Sequence, residues 1–148
     1  MNKIEVKEVE LEEVLNIHQY VLEMDDLHPP KTFFTDRIDG LKSLITAAYY
    51  ENAPIGYMIS YHPKDDSESI YCWMAGVDHR YRRLGALTEL MKYHMNWSKE
   101  NGYQKMKIKT RNDKRNMLNY LVKNDWDFTK VEESASIESN SIYLEKKL

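Results

Sequence analysis

Residues 69–77, Ser-Ile-Tyr-Cys-Trp-Met-Ala-Gly-Val, form a nearly continuous apolar run between polar turns. A strand without apolar/polar alternation belongs at the centre of a sheet with both faces covered. The rest of the chain therefore has to supply layers on both sides. Residues 3–10 alternate and predict a half-buried strand. From Glu12 the spacing changes: Val14, Leu15, Ile17, His18, Val21 and Leu22 form a helical stripe, which Asp25 to Pro30 must end. A second, shorter helix is expected from Asp36 to Ile45, with Gly40 weakening it. Thr46–Glu51 and Pro54–His62 flank Asn52-Ala53 as a β-hairpin. Gly85–Glu100 places Leu87, Leu90, Met91, His94 and Trp97 on one helical face, with Asn101-Gly102 as its stop. A strand over Lys105–Lys109, a helix over Asp113–Lys123 and strands over Asp127–Val131 and Ser141–Leu144 complete the order β-α-α-β-β-β-α-β-α-β-β. This is one mixed α/β (α+β) domain spanning residues 1–148.

Composition removes several classes of function. With 42% apolar and 30% charged residues, the chain is neither a disordered tail nor a low-complexity scaffold. The longest apolar run, Leu44 to Tyr50, is far below the roughly 18 residues a membrane span needs. Met1 to Glu5 places carboxylates where a signal peptide carries positive charge, so a cytoplasmic setting is expected. Cys72 is the only cysteine, and no histidines are spaced with thiols or carboxylates as metal ligands, so no metal is expected. A packed, inert thiol is the expectation for Cys72 itself. His18 and His94 are expected at the core edge, and His79 as an exposed turn residue.

Charge is unevenly spread. Residues 1–26 hold eight acids and two lysines; residues 78–115 hold eleven bases and four acids. Such a basic stretch within an acidic chain points to an anionic ligand at one place. A nucleic-acid surface would interleave exposed aromatics, and only Tyr81 and Tyr103 offer themselves, so no nucleic-acid partner is expected.

The stretch begins where the apolar strand ends, in Val77-Asp78-His79-Arg80-Tyr81-Arg82-Arg83-Leu84-Gly85-Ala86-Leu87. A strand, an arginine turn and a glycine opening a long helix present outward-facing amides with partial positive charge, which bind phosphate oxygens. Gly85 permits close approach to the backbone, and Arg82 and Arg83 add charge for pairing. Neither a Walker loop nor a dinucleotide fingerprint is present. Taken alone, the segment reads either as a phosphate site or as an ordinary strand–helix turn.

In its context, Val-x-x-x-Tyr-Arg-Arg-x-Gly-Ala resembles the coenzyme-A-binding motif of the GNAT superfamily of N-acetyltransferases, and the resemblance covers nearly the whole chain. It implies a central mixed, mostly antiparallel sheet of six to seven strands flanked by about four helices, with acetyl-CoA as co-substrate. The backbone of Ala75, Gly76 and Val77 would then hold the pantetheine arm. Amides from Arg82, Arg83, Leu84, Gly85, Ala86 and Leu87, with Thr88, would hold the pyrophosphate, and Asn112 would contact the coenzyme. Three departures stand out: Leu87 replaces a small residue, Asp125-Trp126 replaces Gly-Phe, and Asn119 occupies the usual position of the acid tyrosine, with Tyr120 following it.

Acetyl transfer needs a neutral amine, a donor for developing negative charge and a proton for the departing thiolate. Tyr120 is the candidate proton donor. Tyr71 occupies the position of the carboxylate base found in some members, so only Glu68, acting through water, is a candidate base. The acceptor, a small-molecule or peptide amine, is expected to meet Asp25, Asp26, His28, Phe33, Tyr71 and Trp73. That acidic, aromatic rim would favour a cationic amine. A non-catalytic coenzyme-A-binding module is the alternative reading, and a homodimer is compatible with the family.

Overall fold

A computed structural model of the chain describes residues 3–148. The elements are β1 (Ile4–Glu8), α1 (Leu11–His18), α2 (Lys31–Ile38), β2 (Ser43–Tyr50), β3 (Ala53–Tyr61), β4 (Ser69–Val77), α3 (Ala86–Glu100), β5 (Lys105–Arg111), α4 (Arg115–Lys123), β6 (Asp127–Glu132) and β7 (Ser141–Lys147). Single 3-10 turns at His79–Tyr81 and Ile137–Ser139 interrupt two of the connections. The order of strands and helices is the one expected. One seven-stranded sheet runs β1-β2-β3-β4-β5-β7-β6 and puts the apolar run of β4 in its middle. Every pairing is antiparallel except β4 with β5.

The two cores follow from the two faces of that sheet. On one face Leu11, Val14 and Ile17 of α1, with Phe34 and Ile38 of α2, pack on Ala47, Tyr57 and Ile59. On the other, Ala86, Leu90 and Met91 of α3, with Leu118 and Leu121 of α4, cover Met58, Ile70, Cys72, Met106, Ile108 and Leu144. α1 and α2 cover only the β2–β4 half of their face. The same face of β5 and β7 therefore carries Lys105, Lys107, Lys109 and Arg111 beside Tyr143 and Glu145.

Two helices depart from expectation. α1 stops at His18, and successive turns (Tyr20 N–H to Ile17, Val21 N–H to His18) lead the chain away. Val21 is thus buried from a turn, while Leu22 is exposed. The second helix spans Lys31–Ile38, not 36–45. Pro30 precedes its first turn with an extended backbone, and Gly40, at φ +75°, takes the left-handed conformation that ends it. Residues 43–45 then join β2. The hairpin turn is Glu51-Asn52, at φ +50° and +68°, a two-residue loop of the type whose twist suits adjoining strands.

His18 and His94 lie inside the core instead of at its edge. His18 Nε2 donates to the Asp26 carbonyl at 2.8 Å, which leaves Nδ1 to accept from the Tyr57 hydroxyl at 2.8 Å. His94 joins Thr46 Oγ1 and Ser60 Oγ, each at 2.7 Å.

Candidate active site

β4 and β5 pair in parallel from Ser69/Lys105 to Cys72/Ile108 and then diverge. Opposite β3, the register slips so that Ile59 faces Met74 and Ser60 faces Cys72, leaving Trp73 as a bulge. Such a bulge bends its strand. Beyond Cys72 the β5-side edge of β4 has no strand partner, so the backbone of residues 73–77 borders an open cleft of about 690 Å³. The other walls are Ile108–Thr110 of β5, the segment Asp113–Met117, Tyr120 of α4, and the entrance to α3.

That entrance is a built turn. Asp78 is buried, and its carboxylate accepts the Arg80 N–H at 2.9 Å and the Arg80 guanidinium at 3.1 and 2.8 Å. Burial opposes its ionisation, but these bonds outweigh it and hold the carboxyl below its ordinary range. Arg80 lies 3.9 Å over the Tyr20 ring, and His79 donates from its backbone N–H and Nδ1 to the Tyr20 carbonyl. His79 therefore fastens the turn to the segment after α1.

The following residues turn toward the cleft. Arg83 and Gly85 take left-handed φ values of +65° and +90°. No side chain caps the first turn of α3, and a Cβ at Gly85 would meet nothing within 4 Å. Arg82 gives one guanidinium nitrogen to the Glu23 carboxylate, while its Nε is buried without a partner among the described residues. An uncapped helix start beside an unpartnered guanidinium N–H suits an anion.

The sequence profile of the acetyltransferase (GNAT) family matches residues 10–125. The chain belongs to the acetyltransferase (GNAT) family. Acetyl-CoA is accordingly the co-substrate that this acetyltransferase has to accommodate. No curated protein matches it by sequence. Solved structures agree in fold. The ribosomal-protein-S18-alanine N-acetyltransferase from Escherichia coli has a TM-score of 0.80 at 12% identity, over 98% of this chain and 94% of that one. A GNAT family acetyltransferase from Elizabethkingia anophelis, with acetyl-CoA bound, has 0.73 at 20% identity over 98% of each. Arabidopsis thaliana Naa50, in complex with the bisubstrate analogue CoA-Ac-MVNAL, has 0.76 at 13% identity over 98% of this chain and 99% of that one.

Within the acetyltransferase, Ala75, Gly76, Val77, Arg82, Arg83, Gly85, Ala86, Leu87 and Thr88 meet in the cleft. Leu84 packs into the α3/α4 core and does not line it, whereas Leu87 does both. Gly76 has a packing reason to be glycine, since a Cβ there would come within 2.8 Å of Val21 Cγ1. Asn112 stands off the cleft: its side-chain N–H donates to the Ile137 carbonyl at 3.0 Å, and its Oδ1 accepts from Arg115. Tyr120 lines the cleft, and burial raises its phenol above the ordinary value while a Thr88 hydroxyl pulls the other way. It is therefore protonated at neutral pH. Cys72 is buried, and burial pushes its thiol up to about 12, so it is no nucleophile.

The remaining candidates scatter. Glu68 is exposed ahead of β4, its carbonyl accepting the Gln104 N–H, four positions (about 13 Å of strand) before Cys72. Tyr71 and Trp73 point to the α1/α2 side. Tyr71 meets the Tyr61 ring at 5.4 Å, and burial raises its phenol to about 12. Trp73 alone of the acceptor candidates lines the cleft; Phe33 packs on its ring at 5.8 Å. Asp25 pairs with Arg111 at 3.5 Å, and the Asp26 carboxylate accepts the His28 N–H at 2.9 Å. Neither aspartate is among the residues that line the cleft.

Sequence reasoning missed Glu23, Lys109 and Lys114. Lys109 was legible from strand alternation, because Ile108 points into the core. Glu23 joins Arg82, and its carbonyl accepts Lys114 Nζ at 2.7 Å. Only the tertiary fold brings those three segments together. Among the described residues no three metal-ligating side chains cluster, and no helix is long and apolar enough to cross a membrane.

Proposed function

We propose that the protein transfers the acetyl group of acetyl-CoA directly to a primary amine of a small molecule or peptide, with both substrates bound together. One observation carries this reading. The splay between β4 and β5 joins an unpaired strand edge, an uncapped helix start and a tyrosine phenol in a single cleft. Acetyl-CoA supplies an activated thioester. Amides of Arg82 to Thr88, with the Arg82 Nε, would hold its pyrophosphate, and the edge of Ala75–Val77 its pantetheine arm. Free backbone N–H groups on that edge would meet developing negative charge at the carbonyl. As the C–N bond forms and the C–S bond breaks, Tyr120 would deliver a proton to the departing sulfur. The proton lost by the amine nitrogen would pass to solvent in the open cleft and so back to the phenol. Holding amine and thioester together lowers the barrier without a strong base, which agrees with Tyr71 standing where a carboxylate base would otherwise be.

Peptide acceptors are supported by likeness to the Escherichia coli enzyme, whose name specifies a ribosomal-protein alanine. The test is coenzyme binding by calorimetry together with thiol release on a panel of polyamines, amino acids, aminoglycosides and peptide N-termini. Saturable binding plus acetylation of at least one class is expected. Tight binding with no acetylation of any amine would favour a non-catalytic coenzyme-binding module.

A further inference from the structure

We infer that the acceptor amine carries a carboxylate, which Lys109 and Arg37 hold on the open sheet face beside the β4–β5 splay. The inference rests on the transferase reading above and names its substrate class. Tyr71 pairs with Lys107 across the parallel strands, so the next residues on that face are Trp73 and Lys109, one on each lip of the splay. Both line the cleft. An amine approaching the thioester from the α1/α2 side passes between them.

The charges on this face are largely matched in pairs. Lys105 meets Glu145 at 3.9 Å, Lys107 meets Asp66 at 2.6 Å, Arg111 meets Asp25 and Asp113, and Lys130 meets Glu132 at 3.1 Å. Lys147, at the far end of β7, is in no salt bridge, and beside the splay two further cations among the described residues have no carboxylate partner. Lys109 Nζ lies 5.6 Å over the Tyr143 ring with no carboxylate within salt-bridge distance, although Glu132 is near enough to feel its charge. The Arg37 guanidinium lies 5.2 Å over the Trp73 ring, and its Nε donates to the Tyr61 hydroxyl at 2.9 Å, so its outer nitrogens have no carboxylate. Stacking on two rings holds that guanidinium in place. Exposed Asp36, next to Arg37 on α2, makes no salt bridge to it. Lys109 and Arg37 therefore offer unpaired positive charge on the two sides of the opening, which a carboxylate can meet and a polyamine cannot.

The experiment compares kcat/KM at fixed, saturating acetyl-CoA for matched acceptors: free amino acids against their carboxamides, and peptides beginning with glutamate against peptides beginning with glutamine. The first pair reports a free amino acid as acceptor, the second an acidic peptide. The carboxamide has the more available free base, so it starts with the advantage. In at least one pair the carboxylate form is expected to win by about tenfold, because each exposed charge contact contributes up to about fivefold. Lys109→Met combined with Arg37→Met should bring the ratio to within about threefold of unity. Lys109→Arg should restore most of the preference lost in Lys109→Met. The coenzyme dissociation constant should be unchanged in all three. Preference for carboxamides or polyamines, or a carboxylate preference unmoved by both substitutions, overturns the inference and leaves the transferase reading standing. Failure of every amine to be acetylated overturns that reading and this inference with it.

Discussion

Arg82 divides its guanidinium between Glu23 and the cleft, so its removal separates binding from folding. The Glu23 pair is partly exposed and contributes little to stability. The buried Nε is different, because a charged hydrogen bond to a phosphate is worth about 1.5–3 kcal/mol. Arg82→Ala should therefore weaken coenzyme binding by about ten- to a hundredfold, with the unfolding midpoint little changed. Titration calorimetry and a urea melt on one preparation check both halves. Tyr120 is tested in the opposite way, through rate at constant affinity. A positioned general acid contributes about 10²–10⁴ in rate, so Tyr120→Phe should lower kcat at least about a hundredfold and leave the coenzyme dissociation constant alone. Because burial raises the wild-type phenol, kcat should show no descending alkaline limb from this group below about pH 10. Legibility at this scale was divided. The arginine–glycine turn announces itself because its chemistry is local. Glu23 and Arg37 reach the site only through tertiary packing, and the roles of Asp25 and Asp26 were hidden because Arg111 and the His28 amide claim them.

At the scale of elements, two helices end in the same way, one with glycine and one without. After α3 the Gly102 N–H bonds the Lys99 carbonyl, and the Tyr103 N–H bonds that of Ser98. After α4 the Asp125 N–H bonds Val122, and the Trp126 N–H bonds Leu121. Both are Schellman closures, with the left-handed position at φ +84° in Gly102 and +64° in Asp125. The aspartate is exposed and adds a negative charge where the helix already ends negative. A left-handed non-glycine residue costs about 1–2 kcal/mol, so Asp125→Gly should stabilise the protein by about 1 kcal/mol. Denaturant unfolding of the two proteins measures it, and a neutral or destabilising result refutes the account. Such endings explain which boundaries the sequence disclosed. β4 was read to the residue because turns bracket a pure apolar run, and α3 because Gly102 stops it. The second helix was displaced by several residues because Phe34 and Ile38 make only one buried stripe. Its start also depends on Pro30, which reads equally well as a loop.

For the molecule as a whole, acid stability hinges on a group outside the cleft. His94 sits on α3 between β2 and β3, fully buried, with only the Thr46 and Ser60 hydroxyls as partners. No carboxylate is among them, so burial disfavours the imidazolium and lowers the histidine to about 3. The unfolded chain, with an ordinary histidine near 6.5, takes up a proton below that pH, and the native state does not do so until about 3. Stability from this residue is thus complete above about pH 6.5 and falls by about 1.4 kcal/mol per pH unit below it. Across the whole window the loss approaches about 5 kcal/mol, comparable with the entire stability of many domains. Asp66, held at about 2 by Lys107, adds its own loss only below its ordinary value of 3.8, so the interval from pH 6.5 to 4.5 belongs mainly to His94. Urea unfolding at half-unit steps through that interval should show this slope. His94→Gln keeps a hydrogen-bonding side chain without a titrating proton. It should be less stable at pH 7 yet lose most of the slope, whereas an equal slope in both proteins would assign the acid sensitivity elsewhere. The core that fixes α3 against the sheet also fixes the helix start at the cleft, so coenzyme binding should fade over the same interval as the fold.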